Sequence, residues 1–249
     1  MSDHVLLITG ASSGIGAATA RLAAAAGYRL ALAARSEDKL QHLVDEIGPQ
    51  RALAIRCDVT DYAEQQAMVQ RVLDHYGQLD AVYANAGIPG SDGGFSGADP
   101  EVWKTMLLTN VYGVGLTLRC TLAALKASRG HLLLTGSAAG RFVIPGSMYS
   151  ASKWAVTGMG LSVREELRGS GVRVTLIEPG MVDTPLFDEP PPYALQPEDV
   201  GRAVVYALSQ PAHVDVNEIL IRPTPRSTAI SNLSVYRCAV AVVAGVPTR

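Results

Sequence analysis

The chain has 249 residues, 48% of them hydrophobic and 18% charged, against roughly 25% charged in typical soluble domains; disorder is excluded and elements buried on both faces are expected. Twenty-one basic residues against 23 acidic ones leave a net charge of −2, so nucleic-acid binding is excluded as the main role. Cys57, Cys120, Cys238 and five scattered histidines form neither a disulfide framework nor a zinc pattern, which predicts no metal site and a reducing, cytoplasmic setting.

In chain order, the first apolar run, 5–9, reads as a strand and leads into Gly10-Ala11-Ser12-Ser13-Gly14-Ile15-Gly16, where a helix over 15–26 begins. A second strand, 29–34, ends at Arg35-Ser36, before a helix over 37–47. The third strand, 51–56, is followed by Asp58-Val59 and a helix over 61–76; the fourth, 80–84, by Asn85-Ala86-Gly87. One long helix is predicted over 100–128, then a strand over 131–136 ending at Ser137, and a helix over 148–169. A strand over 172–177, a helix over 197–209 and a final strand over 216–222 complete the pattern. Strands alternating with crossover helices predict an α/β, doubly wound domain whose ligands bind beyond the strand carboxyl ends. No interior linker divides the chain, so residues 1–224 are expected to form one domain and 225–249 an appended tail. No signal peptide and no apolar run of the ~18 residues a membrane span needs are found, so no membrane partner is expected.

The glycine loop sits between a strand and a helix, where glycines allow a tight turn and a pyrophosphate can approach backbone N–H groups at the helix N-terminus. Its spacing, Thr9-Gly10-x-x-x-Gly14-x-Gly16, resembles the TGxxxGxG mark of the short-chain dehydrogenase/reductase family. That resemblance implies a Rossmann-type domain with a seven-stranded parallel sheet, order 3-2-1-4-5-6-7, and helices on both faces. After the second strand, an acid that would accept from an adenosine ribose hydroxyl is missing; Arg35, with Ser36 or Ser12 as further donors, suits a 2′-phosphate and favours NADP(H) over NAD(H). The alternative for Arg35 is a solvated surface arginine. The resemblance assigns Asp58 and Val59 to the adenine ring and Asn85, Ala86 and Gly87 to a turn supporting the sheet, although Ala84 stands where a first asparagine is often found.

Tyr149 and Lys153 lie four residues apart on one helix face, and nine tyrosines and four lysines meet at this spacing only here. With Ser137 and Asn110 they match, in order, the Asn-Ser-Tyr-Lys tetrad of the same family. Hydride delivered to a carbonyl carbon leaves charge on oxygen that needs a proton donor, and a cation beside a phenol favours its phenolate. Lowering the phenol by about two to three units corresponds to roughly 3–4 kcal/mol. The resemblance further implies that Ser137 orients the carbonyl, that Lys153 holds the nicotinamide ribose, and that Asn110 holds a water linking Lys153 to solvent. The segment Pro179-Gly180-Met181-Val182-Asp183-Thr184 resembles the family's PGxxxT motif, meeting the nicotinamide carboxamide through Val182 backbone and the Thr184 hydroxyl.

Only about a dozen residues, 185–196, separate Thr184 from the next helix, so a shortened lid over an open site is expected; Leu186, Phe187 and the stiff Pro190–Pro192 run do not favour two helices. Ala138, Ala139, Phe142, Ile144, Met181 and Leu186 are candidate pocket walls, uncharged and suited to an apolar ketone, aldehyde or secondary alcohol. The stretch 87–97 is either a mobile rim or a plain surface loop. Small apolar residues over 113–127 permit close helix packing between subunits, and a homodimer or homotetramer is expected. The expected activity is NADPH-dependent reduction of a ketone or aldehyde; the alternatives are an NAD-preferring alcohol dehydrogenase and a non-catalytic NADP(H)-binding redox sensor.

Overall fold

Strand β1 (Val5–Thr9) is buried at every position, so its two sets of alternating side chains must enter different cores. In the computed structural model, which describes residues 3–185 and 193–224, they do. Leu6 and Ile8 join one cluster and Val5 and Leu7 the other. The same parity divides β2 (Arg29–Ala34), β4 (Ala81–Ala84), β5 (His131–Thr135) and β6 (Arg173–Pro179). With β3 (Ala52–Arg56) and β7 (Glu218–Ile221) they form a seven-stranded sheet, order β3-β2-β1-β4-β5-β6-β7, parallel throughout.

Helices α1 (Gly14–Ala25), α2 (Glu37–Ile47) and α8 (Pro197–Leu208) cover one face. Helices α3 (Tyr62–Tyr76), α6 (Val114–Ser128) and α7 (Met148–Glu166) cover the other. A one-turn helix, α4 (Gly94–Gly97), precedes α5 (Pro100–Leu107). Among the described residues no helix is long and apolar enough to cross a membrane, and no group of three His, Cys, Asp or Glu side chains is placed to hold a metal.

The predicted continuous helix over 100–128 is interrupted. Leu108–Gly113 forms a π-helical segment between α5 and α6. Side chains reach into the backbone ladder there: the Gly113 carbonyl accepts from the Gln65 amide at 2.9 Å and from the Thr117 hydroxyl at 3.0 Å. Gly113 also sits where an added Cβ would lie 3.0 Å from the Val59 side chain. Inserted hydrogen bonds of this kind widen helical turns. The segment carries Asn110, 1% exposed. The short helix at 94–97 and a 3₁₀ turn, Ala138–Gly140, are further departures from the sequence reading. Leu186, Phe187, Pro190–Pro192 and the tail 225–249 lie outside the described residues.

Candidate active site

A cleft of about 810 Å³ lies beyond the carboxyl ends of the central strands. One end of it is built of glycines. Gly10 has φ +65°, and an added Cβ would lie 2.8 Å from the Ala86 Cα; at Gly16 it would lie 2.3 Å from the Gly10 carbonyl oxygen. Helix and strand therefore meet more closely than any side chain permits. No side chain caps α1 and no acid occupies its first turn, which leaves backbone N–H groups for an anion. Gly10, Ser12, Ser13, Gly14 and Ile15 all line the cleft, while Gly16 packs behind it.

The Asn85 side chain braces this loop. Its amide donates to the Thr9 carbonyl at 3.1 Å and its oxygen accepts from the Thr135 hydroxyl at 3.1 Å. The Thr9 hydroxyl in turn accepts from the Asn85 and Ala86 N–H groups. Arg35 and Ser36 are exposed at the end of β2 and line the far end of the cleft with Asp58 and Val59. Burial opposes charge on Asp58, yet hydrogen bonds from the Thr60 N–H and hydroxyl, with Arg35 and Arg56 nearby, hold its carboxyl below the usual range. Lys39 and Cys57 are among the lining residues that the sequence does not single out. Lys39 lies in the first turn of α2, four residues after Arg35; Cys57 is 1% exposed, its thiol pushed up to about 12 by burial and neighbouring carboxylates.

At the other end the Ser147 hydroxyl caps α7, accepting from the Ser150 N–H at 3.0 Å. The cap starts the helix at Met148, so Tyr149 and Lys153 occupy successive turns and both line the cleft. The Lys153 ammonium lies 5.7 Å from the Tyr149 ring centroid and donates to the Thr135 carbonyl at 2.9 Å. Burial lowers its pKa to about 8. Across the cleft, the Ser137 hydroxyl accepts from the Ala139 N–H at 3.0 Å and makes a long contact of 3.4 Å to the Pro179 carbonyl.

Gly87, Pro179, Gly180, Val182 and Thr184 also reach the wall. Leu195 returns to pair with Val182, its N–H donating to the Met181 carbonyl at 2.9 Å and its carbonyl accepting from Asp183 at 2.7 Å. Asn110 is not on the wall. Its side chain grips the Ile88 backbone, accepting from the N–H at 2.9 Å and donating to the carbonyl at 3.0 Å. That holds the 87–97 stretch against the site, where an added Cβ on Gly90 would lie 3.0 Å from the Tyr149 Cβ. Of the expected pocket walls, Ala138, Ala139, Ile144 and Met181 line the cleft; Phe142 instead lies under the Arg222 guanidinium at 5.3 Å.

Behind Ser137 lies an ion pair that the sequence reading missed. Glu178, 1% exposed, accepts from Arg141 Nε at 2.8 Å through both oxygens and from the Thr157 hydroxyl at 3.2 Å. Arg141 also contacts Glu218. The available signal was a glutamate inside an otherwise apolar strand.

The sequence model of the short chain dehydrogenase family matches residues 4–192. Over 231 residues the chain is 38% identical to an uncharacterized oxidoreductase of Staphylococcus saprophyticus, spanning 90% of this chain and 98% of the relative. An alcohol dehydrogenase from the archaeon Thermococcus sibiricus, complexed with 5-hydroxy-NADP, superposes with a TM-score of 0.84 at 32% identity, over 90% of this chain and 100% of that one. A metagenomic short-chain oxidoreductase in complex with NADP gives 0.79 at 32% identity, over 90% and 98%.

Proposed function

The chain belongs to the short-chain dehydrogenase family, and from that premise we propose that it is an NADPH-preferring carbonyl reductase, reversible as an alcohol dehydrogenase. Membership makes it an NAD(P)-dependent oxidoreductase of small molecules. The observation carrying the finer reading is the convergence of Ser137, Tyr149 and Lys153 on one cleft that also runs to Arg35.

The glycine cradle and uncapped helix fit a dinucleotide pyrophosphate, with Asp58 and Val59 at the adenine and Lys153, Val182 and Thr184 at the nicotinamide end. Arg35, Ser36 and Ser12 are assigned to a 2′-phosphate. When bound, the reduced nicotinamide supplies hydride to a carbonyl carbon. The Ser137 hydroxyl exchanges its long contact with Pro179 for a hydrogen bond to the substrate oxygen and orients it. The Tyr149 phenol donates the proton that the oxygen needs as charge develops. The Lys153 ammonium stabilises the phenolate left behind, and Asn110 keeps the neighbouring backbone in place.

Among the described residues the substrate end carries Ile88, Pro89, Ala138, Ala139, Ile144 and Met181 and no cation besides Lys153, which favours an uncharged, largely apolar ketone or aldehyde over an anionic acyl carrier. Exposed Tyr112, Trp154 and Leu161 on the α6 and α7 side suit a homodimer or homotetramer, and a cytoplasmic setting is assigned with it. The test is titration with NADPH and NADH, then a panel of ketones, aldehydes and diketones at saturating cofactor. NADPH-selective turnover that falls at least about 10³-fold in Tyr149→Phe is expected. Tight NADPH binding without turnover would replace this reading with a redox sensor, and equal NADH binding would remove the role given to Arg35.

A further inference from the structure

Three elements carry the residues assigned above to the reaction. Ser137 stands on the turn after β5, Tyr149 and Lys153 on α7, and Pro179 to Thr184 on the segment leaving β6. Each is tied to one carboxylate. Arg141, four residues after Ser137 and at the end of the same 3₁₀ turn, gives its Nε to both Glu178 oxygens at 2.8 Å. Thr157, one helical turn after Lys153, gives its hydroxyl at 3.2 Å. Glu178 itself immediately precedes Pro179.

The fit around this carboxylate is close. An added Cβ at Gly136 would lie 3.1 Å from Glu178 Cγ, and one at Gly140 would lie 2.7 Å from the Lys153 carbonyl oxygen. Burial of Glu178, 1% exposed, opposes its charge, and the Arg141 guanidinium that offsets this belongs to the Ser137 turn. Among the described residues the turn's own amides bond within 137–142, and its other polar ties run from the Ser150 and Thr157 hydroxyls to the Ala139 and Gly140 carbonyls and from the Ser137 hydroxyl to the Pro179 carbonyl.

We propose that Glu178 is a positioning residue, acting with Arg141 to set the Ser137 hydroxyl in register with α7 and with the Pro179 segment. The inference rests on the role given to Ser137. Its test is a double-mutant cycle of Glu178→Ala and Ser137→Ala, with NADPH affinity read by nicotinamide fluorescence and hydrogen exchange followed over 137–142. In otherwise native protein, Glu178→Ala is expected to lower kcat by about 10- to 100-fold while NADPH affinity changes less than about threefold. In the Ser137→Ala background the same change is expected to lower kcat by less than about threefold, because no hydroxyl remains to be placed. Equal losses in both backgrounds overturn the proposal.

Should Glu178→Ala fail to fold, Arg141→Lys keeps the charge and loses the shared geometry, and is expected to give a smaller loss with the same dependence on Ser137. Hydrogen exchange separates this inference from the reading it rests on. If the native protein turns over no carbonyl compound, accelerated exchange confined to 137–142 in Glu178→Ala or Arg141→Lys still supports the tie, and unchanged exchange sinks it.

Discussion

Lys153 shows how a single residue's chemistry is set by its surroundings. The side chain is 5% exposed and donates to one backbone carbonyl, and desolvation brings its pKa to about 8. The sign is direct: below that pH the ammonium is present and supports a phenolate, and above it the support is lost. The rate of carbonyl reduction is therefore expected to fall above an inflection near pH 8, and Lys153→Arg should move that inflection upward. A profile flat to well above the inflection would contradict it. Arg35 offers a separable residue-scale test. Arg35→Ala should weaken NADPH by roughly 10- to 100-fold, as expected for a lost charge-assisted pair, while leaving NADH within about twofold. Calorimetric titration of both cofactors reads the difference, and parallel losses would make Arg35 a general contributor. Spacing singles out Tyr149, Lys153 and the glycines, and the family resemblance implies their roles. Spacing does not single out Lys39 or the Thr135 carbonyl, since one is a surface-type residue and the other is backbone.

At the scale of elements, glycine placement decides how closely helices approach the sheet and the site. Gly140 and Gly158 make a matched pair. A Cβ at Gly140 would strike the Lys153 backbone at 2.7 Å, whereas at Gly158, exposed on α7, nothing lies within 4 Å. Gly140→Ala is expected to destabilise by about 1–3 kcal/mol through overpacking and to lower kcat by separating the Ser137 turn from α7. Gly158→Ala should instead stabilise by about 0.5–1 kcal/mol through helix propensity. Denaturant unfolding of both variants checks the pair, and similar signs would refute it. Element existence followed from hydrophobic period, so β1, β2 and α2 match their expected bounds. The π segment at Leu108–Gly113 did not follow, because its cause is Gln65 reaching the Gly113 carbonyl from α3 across 48 residues. Local pattern carries no record of such a partner.

For the whole molecule, the two-faced sheet buries His131 at its amino-terminal edge. The Thr175 hydroxyl donates to the Val216 carbonyl at 2.6 Å, so it accepts from His131 Nε2–H at 2.7 Å. Burial depresses the His131 pKa to about 3. The unfolded chain then binds a proton near pH 6.5 that the folded chain refuses, so stability holds above that pH and declines below it toward pH 3. His131→Gln should reduce the slope of unfolding free energy between about pH 6 and 4 by roughly 1.4 kcal/mol per pH unit. An unchanged slope would show that other groups dominate acid unfolding. Among the described residues β7 is the last strand and forms an edge of the sheet, and we propose the domain boundary at residue 224 on that ground.

Fold class, the family and the identity of the glycine, tyrosine and lysine motifs were determined by the sequence itself, because each depends on spacing within one strand, turn or helix. Tertiary structure alone decided that Asn110 grips Ile88 instead of lining the cleft, that Phe142 lies under Arg222, and that Glu178 gathers three elements at one point. Those contacts join residues 21 to 80 positions apart, and their partners are chosen by how the layers pack rather than by any periodicity along the chain.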